Sequence, residues 1–141
     1  AIDRHNQARN DAIERIDEFL LSALGLVDPA TLASALPRST VPPGARLNSE
    51  TAGSMLDRIS ILGLKIAAMR EQTQRQDVDD AHRQACAERL ERLQQQRSDL
   101  GRCYDELLAD ARAGRAYFKV YRQFKMYNDP RLNPALVAES K

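Results

Sequence analysis

A heptad pattern in the second half of the chain constrains the fold more than any other feature. Apolar residues there recur at spacings that alternate between four and three, with one cation among them. The positions are Cys86, Leu90, Leu93, Arg97, Leu100, Tyr104, Leu107 and Ala111. This spacing keeps side chains on one face of a helix, so it predicts a long third helix over residues 78–113 that ends near Gly114.

Two further helices precede this one. Helical spacing of isoleucines and leucines predicts a first helix over residues 2–24, which Gly25 ends. A loop over 25–48 follows, rich in proline and containing one short helix after Asp28 and Pro29. The second helix, 49–73, is capped by Asn48 or Ser49, and it is apolar nearly all round, which predicts a buried central element.

The C-terminal stretch concentrates aromatic and basic residues over 115–127, followed by a tail over 128–141. Tyr117, Tyr121 and Phe124 follow helical spacing and predict a packed amphipathic helix that stops before Pro130. Interleaved aromatic and basic residues would also suit RNA or single-stranded DNA, and an alternating pattern through Phe118 and Val120 fits as well. The helix is the favoured reading, so the sequence predicts an all-α fold: an antiparallel helical bundle of three long helices plus a shorter C-terminal helix.

Composition bounds the functional classes. The 141 residues carry a net charge of +1, which gives no global basic field, so we expect neither nucleic acid nor a membrane as partner. Cys86 and Cys103 lie in one predicted helix about 25 Å apart, too far for a disulfide. Free thiols fit a reducing cytoplasm. We expect one cytoplasmic domain, which begins in mid-pattern and is therefore part of a longer parent chain.

Several cations lie on apolar stripes where charges are unexpected. Lys65 interrupts the apolar run over 59–69, and Arg58 lies seven residues before it. Arg97 is in the heptad seam, and Arg9 is on the apolar stripe of the first helix. Unpaired buried charges cost several kcal/mol each, so these cations must pair with carboxylates or bind an anion.

Three readings of these charges remain open: internal ion pairs, an interhelical pocket for a small anion such as a phosphorylated sugar or nucleotide, and a magnesium site at the Glu14–Asp17 pair. In the anion reading, Arg9, Arg58, Lys65 and Arg97 hold the anion, while Glu14, Asp17 and Asp57 orient them or act as acid and base. The candidate ligand-binding residues are Asn6, Arg9, Glu14, Asp17, Glu50, Asp57, Arg58, Lys65, Arg97 and Asp99. No metal or other cofactor is predicted.

Four segments carry a resemblance: "IDRHNQARNDAIERID", "LNSETAGSMLDRISILGLKIAAMREQ", "ERLQQQRSDL" and "KMYNDPRLNP". They resemble successive blocks of the bacterial domain of unknown function family 4254. The resemblance implies a bacterial, helical protein, sometimes encoded beside cell-envelope glycan genes, and implies no established activity. Family members usually begin with a further segment containing Trp-His and acidic residues. Polar positions that recur in the family pattern include all ten candidate residues and Lys125.

The sequence therefore predicts a helical bundle that binds a small anion between its helices and forms a homodimer. The alternative is a non-enzymatic interaction bundle whose buried charges are structural. A magnesium-dependent phosphohydrolase is a third possibility.

Overall fold

The computed structural model describes residues 2–123, which form a mostly helical fold with one small sheet. The helices are α1 (Ile2–Leu24), α2 (Ala52–Gln74) and α3 (Asp80–Arg112). The strands are β1 (Arg46–Leu47) and β2 (Ala116–Tyr117), which pair in parallel. Between α1 and α2, where the sequence predicted one short helix, the described chain has a 3-10 helix, Pro29–Thr31.

The predicted first helix matches α1, and Gly25 explains why the helix ends at Leu24. Gly25 has φ of 69°, and the Leu26 N–H donates to the Leu21 carbonyl at 2.9 Å. This bond satisfies a carbonyl that the helix end would leave free, and glycine adopts the required left-handed conformation without a Cβ penalty.

Helices α2 and α3 form an antiparallel hairpin because only five residues, 75–79, connect them. The helices begin slightly later than the sequence predicted. Thr51, and not Asn48 or Ser49, caps α2 by accepting a hydrogen bond from Ser54 N–H, and Asp79 caps α3 by accepting from His82 N–H. The cap of α2 was misplaced because several neighbouring residues before this helix have capping side chains.

The predicted C-terminal helix is wrong. After α3, Gly114 has φ of 76° and the Arg115 N–H donates to the Asp110 carbonyl at 2.8 Å, so the helix ends here. The chain then runs extended, with Ala116, Phe118 and Val120 buried at a period of two. The predicted bundle of three long helices plus a fourth is therefore wrong: residues 2–123 form three helices and a two-stranded sheet. The last four positions of the predicted fourth helix, 124–127, lie outside the described residues.

The hydrophobic core lies where the C-terminal half of α1, the start of α2 and the end of α3 meet the β2 segment. Leu21, Met55, Leu107 and Phe118 are buried there. The rest of the α2–α3 hairpin extends from this core, and Ile66 of α2 and Cys86 of α3 are buried within it.

Helix α2 is not the fully buried element that its composition predicts. Its central apolar residue Leu64 is 74% exposed, and Ala67 and Ala68 are exposed beside it. The helix is covered by α3 along one side, but α1 covers only the opposite side near its start. An apolar circumference therefore does not ensure burial where the fold provides too few neighbours.

Both cysteines in the described chain are free thiols, with Cys86 buried and Cys103 exposed. None of the helices over 2–123 combines the length and the apolar character that a membrane crossing requires.

Candidate functional site

Four of the predicted site residues line one groove between α2 and α3. The groove has a volume of about 660 Å³, and its floor includes the apolar side chains of Met55 and Leu100. Its charged residues are Glu50, Arg58, Lys65 and Asp99. Gln96 and the thiol of Cys103 also line it, both from α3.

The two cations in the groove differ in how they are held. Arg58 Nη1 donates to both oxygens of Glu50, at 2.7 and 2.9 Å. Lys65 is exposed and makes no ion pair with any residue between 2 and 123. The groove therefore presents one neutralised and one free cation, seven residues or about 10 Å apart along α2.

Asp99 closes the opposite wall from α3. Its Oδ1 accepts a hydrogen bond from Gln95 Nε2 at 2.9 Å and one from Arg102 Nη2 at 3.1 Å. The carboxylate is half exposed, so its second oxygen can accept a hydrogen bond from a donor group of a molecule in the groove.

A second set of predicted residues joins α1 to the start of α2. Asp17 is only 1% exposed, and its Oδ1 accepts the Gly53 N–H at 2.7 Å. Burial raises the pKa of Asp17, an effect that hydrogen bonds from Thr51 and Gly53 partly offset. Asp17 thus satisfies a free N–H at the first turn of α2 and anchors α1 there, which is a structural role.

Arg9 and Asp57 form the next contact along the same junction. The guanidinium donates from Nε and Nη2 to the two carboxylate oxygens, each at 2.7 Å. The pKa of Arg9 is raised by this hydrogen-bonded pair. The geometry is bidentate, so the pair fixes the orientation of α1 on α2.

Glu14 belongs to a third cluster, centred on a residue that sequence reasoning missed as a site residue. Arg122 Nη1 contacts Glu14 Oε2 at 3.3 Å and also pairs with Glu18. The Gln123 N–H donates to Glu14 Oε1 at 2.8 Å, and Arg122 Nη2 donates to the Leu32 carbonyl. These bonds tie the extended C-terminal segment to α1 and to the loop. The sequence did not reveal this role because Arg122 was assigned to the basic face of the predicted C-terminal helix.

Two predicted residues lie apart from all three groups. Arg97 is exposed on a different face of α3, beside Gly101 and Arg102. Asn6 is exposed near the beginning of α1.

The prediction that these cations turn toward the interior is wrong. Arg9 is 50% and Arg58 is 59% exposed at the side chain, and Lys65 and Arg97 are also exposed. The Cα atoms do follow the apolar stripes, but the long side chains carry their charges out to solvent. This geometry avoids the cost of burying the charges.

The carboxylates considered for magnesium are already engaged by protein groups. Glu14 contacts Arg122, and Asp17 accepts from the backbone of Gly53. No group of three or more His, Cys, Asp or Glu side chains with metal-binding geometry occurs in the described part of the chain.

Comparison with known proteins agrees with the resemblance seen in the sequence blocks. The family model described as "Protein of unknown function (DUF4254)" matches residues 1–120, which include α1, α2, α3 and every residue that lines the groove. The fourth block, "KMYNDPRLNP", lies beyond the matched residues. No curated protein and no solved structure matches the chain. The match covers most of the chain, and the protein therefore belongs to the DUF4254 family of proteins of unknown function.

Proposed function

We propose that the groove between α2 and α3 binds a small anionic molecule, either a phosphorylated sugar or a nucleotide. The observation that supports this proposal is Lys65, a cation without an ion-pair partner among residues 2–123, on the wall of a groove with an apolar floor. A phosphate group would gain a charge-assisted hydrogen bond from the ammonium, and the apolar floor would lower the local dielectric.

The other groups of the groove suit the remainder of such a ligand. Gln96 offers an amide donor and acceptor, and Asp99 offers a carboxylate that accepts hydroxyl protons. Arg58 is held by Glu50 and would extend the positive wall toward a second anionic oxygen. A phosphorylated sugar of cell-envelope glycan metabolism has both groups, an anion and several hydroxyls, and the family resemblance implied that setting.

Thermal-shift measurements with inorganic phosphate, glucose 1-phosphate and uridine monophosphate test the proposal. A ligand that binds the folded state raises the melting temperature by mass action, so at least one phosphate ester should stabilise the protein. Lys65→Gln should abolish this shift. Arg70→Gln is the matched control, because it removes an exposed cation of the same helix that does not line the groove.

Cys103 gives a second readout of the same site. Its exposed thiol lines the groove, whereas Cys86 is buried, so a thiol reagent should label Cys103 first. A bound phosphate ester should slow this labelling in the wild type and not in Lys65→Gln. If no phosphate compound shifts the melting temperature or protects Cys103, the groove is not an anion site.

A second candidate function is a non-enzymatic interaction protein. Two of the cations that were expected to hold the ligand instead pair with carboxylates, Arg9 with Asp57 and Arg58 with Glu50, and this observation favours the second candidate. Under this reading the charges fix helix orientation, and phosphate compounds have no effect on the labelling of Cys103.

A further inference from the structure

A second cavity continues the groove between α2 and α3 toward β1. It has a volume of about 360 Å³, and Glu50, Met55 and Cys103 line both it and the groove, so the two form one extended groove. The polar residues that line only this side cavity are Arg46, Asn48, Ser49 and Glu106. Gln96 and Glu106 lie toward opposite ends of the extended groove, ten residues or about 15 Å apart along α3. One sugar ring with one phosphate would fill only part of this length.

The two ends of the extended groove differ in charge. Lys65 lies at one end, without an ion-pair partner between residues 2 and 123. Glu106 lies at the other end, where its carboxylate is exposed and has neither an ion-pair nor a hydrogen-bond partner in the same range. The other charged groups that line the extended groove are paired: Arg58 with Glu50, Arg46 with Asp110, and Asp99 with Arg102. A ligand that matches both ends is therefore anionic at Lys65 and uncharged at Glu106, because a second anion would be repelled there.

The side cavity has the groups that bind hydroxyls. The Glu106 carboxylate accepts hydrogen bonds from hydroxyl protons. Asn48 Nδ2 donates to the Glu50 carbonyl at 2.6 Å, which turns the amide group and leaves its oxygen as a further acceptor. The Ser49 hydroxyl is exposed and can donate or accept. A sugar ring, with several hydroxyls that both donate and accept, fits this set.

A nucleobase fits the side cavity less well. It presents a flat aromatic face, which proteins commonly hold by stacking on an aromatic side chain. None of the described residues that line either part of the extended groove is aromatic. We infer that the extended groove takes a phosphorylated saccharide of at least two sugar rings, with its phosphate at Lys65 and its second ring at Glu106. This assignment rests on the proposed anion site and narrows its ligand to one of the two classes named above.

Isothermal titration calorimetry on the 141-residue protein tests the assignment. Glucose 1-phosphate is compared with maltose 1-phosphate and cellobiose 1-phosphate, which add a second ring through two different linkages. At least one of the disaccharide phosphates should bind about tenfold more tightly than glucose 1-phosphate, because the second ring adds hydrogen bonds to a charged group. Lys65→Gln should weaken the binding of all three compounds.

Glu106→Ala locates the second ring. It should remove the advantage of the disaccharide phosphate and leave the affinity for glucose 1-phosphate unchanged. Glu106 is exposed and unpaired within residues 2–123, so its loss should not disturb the fold. Glu88→Ala is the matched control, because Glu88 is an exposed glutamate of the same helix that lines neither part of the extended groove. It should bind all three compounds like the wild type.

The outcomes separate the saccharide assignment from the anion site itself. If glucose 1-phosphate binds through Lys65 and neither disaccharide phosphate binds more tightly, the anion site stands and the saccharide assignment is overturned. Tighter binding of uridine monophosphate than of both disaccharide phosphates overturns it in the same way. A disaccharide advantage that persists in Glu106→Ala also overturns it, because the second ring then lies elsewhere. If no phosphate compound binds, the anion site and the saccharide assignment fail together.

Discussion

Two glycines of α2 provide the sharpest test of how α1 lies on this helix. A Cβ atom at Gly53 would lie 2.6 Å from the Ile13 carbonyl oxygen and 2.9 Å from Asp17 Oδ1. At Gly63, ten residues later in the same helix, a Cβ would have nothing within 4 Å. The same substitution, glycine to alanine, is therefore expected to have opposite effects at the two positions.

The magnitudes follow from these distances. An ordinary carbon–oxygen contact is about 3.3 Å, so α1 would have to move by about 0.7 Å to accommodate the new methyl at position 53. Overpacking of this kind costs about 1–3 kcal/mol, and a weakened bond from Gly53 N–H to the buried Asp17 costs a similar amount. The gain in helix propensity is at most about 1 kcal/mol. We expect Gly53→Ala to lose about 3 kcal/mol and Gly63→Ala to gain about 0.5–1 kcal/mol.

Urea denaturation followed by circular dichroism measures both changes, with the slope m as a check that the unfolding transition is otherwise unchanged. The thermal midpoint should fall by about 10 °C in Gly53→Ala and rise slightly in Gly63→Ala. If Gly53→Ala is as stable as Gly63→Ala, then α1 does not lie against the first turn of α2, and the junction that Asp17 forms is refuted.

Three further outcomes are expected. Burial raises the pKa of Asp17 in the folded state above its ordinary value of 3.8. The unfolding free energy of the wild type should therefore fall relative to that of Asp17→Asn as the pH rises from 3.8 through the raised pKa. Urea titrations across the acidic range measure this difference, and a relative rise would contradict the assignment. Arg122→Met should cost about 1–2 kcal/mol in urea denaturation, because it removes the bonds to Glu14 and Glu18; an unchanged midpoint would refute the cluster. Arg97→Leu should change stability by less than about 0.5 kcal/mol in the same assay, because Arg97 is exposed; a severe loss would show that it pairs with a buried carboxylate.

Local patterns in the sequence predicted the helices well because their causes are local. The spacing of isoleucines and leucines and the stop at Gly25 gave α1 its bounds, and the heptad seam gave α3 to within two residues. Helical periodicity and glycine C-caps depend on residues a few positions apart, so a single sequence contains them.

The C-terminal segment was mispredicted because its conformation depends on a distant partner. β2 pairs with β1, seventy residues earlier in the chain, through bonds such as Asn48 N–H to the Tyr117 carbonyl at 2.8 Å. Alternation through Phe118 and Val120 was visible, but helical spacing of the aromatic residues competed with it. Short apolar stretches fit both periods, and only the tertiary contact decides between them.

The sequence identified which residues belong to the candidate site, but it did not predict where their side chains lie relative to one another. Helical spacing places Arg9, Arg58 and Lys65 on the apolar side of their helices, because it determines the positions of their Cα atoms. Whether a long side chain then stays inside or turns outward depends on which neighbours cover the helix, and α2 has α1 beside it only near its start. One predicted pocket is therefore three separate clusters, of which the groove between α2 and α3 retains a free cation.

The groove and the junction between α1 and α2 are separate places in the fold. Every residue that lines the groove belongs to α2, to α3 or to Glu50. The contacts that hold α1 on α2, Asp17 to Gly53 and Arg9 to Asp57, involve no residue that lines the groove. We therefore expect substitutions at the junction to change the stability of the fold without removing a group that the proposed anion would contact.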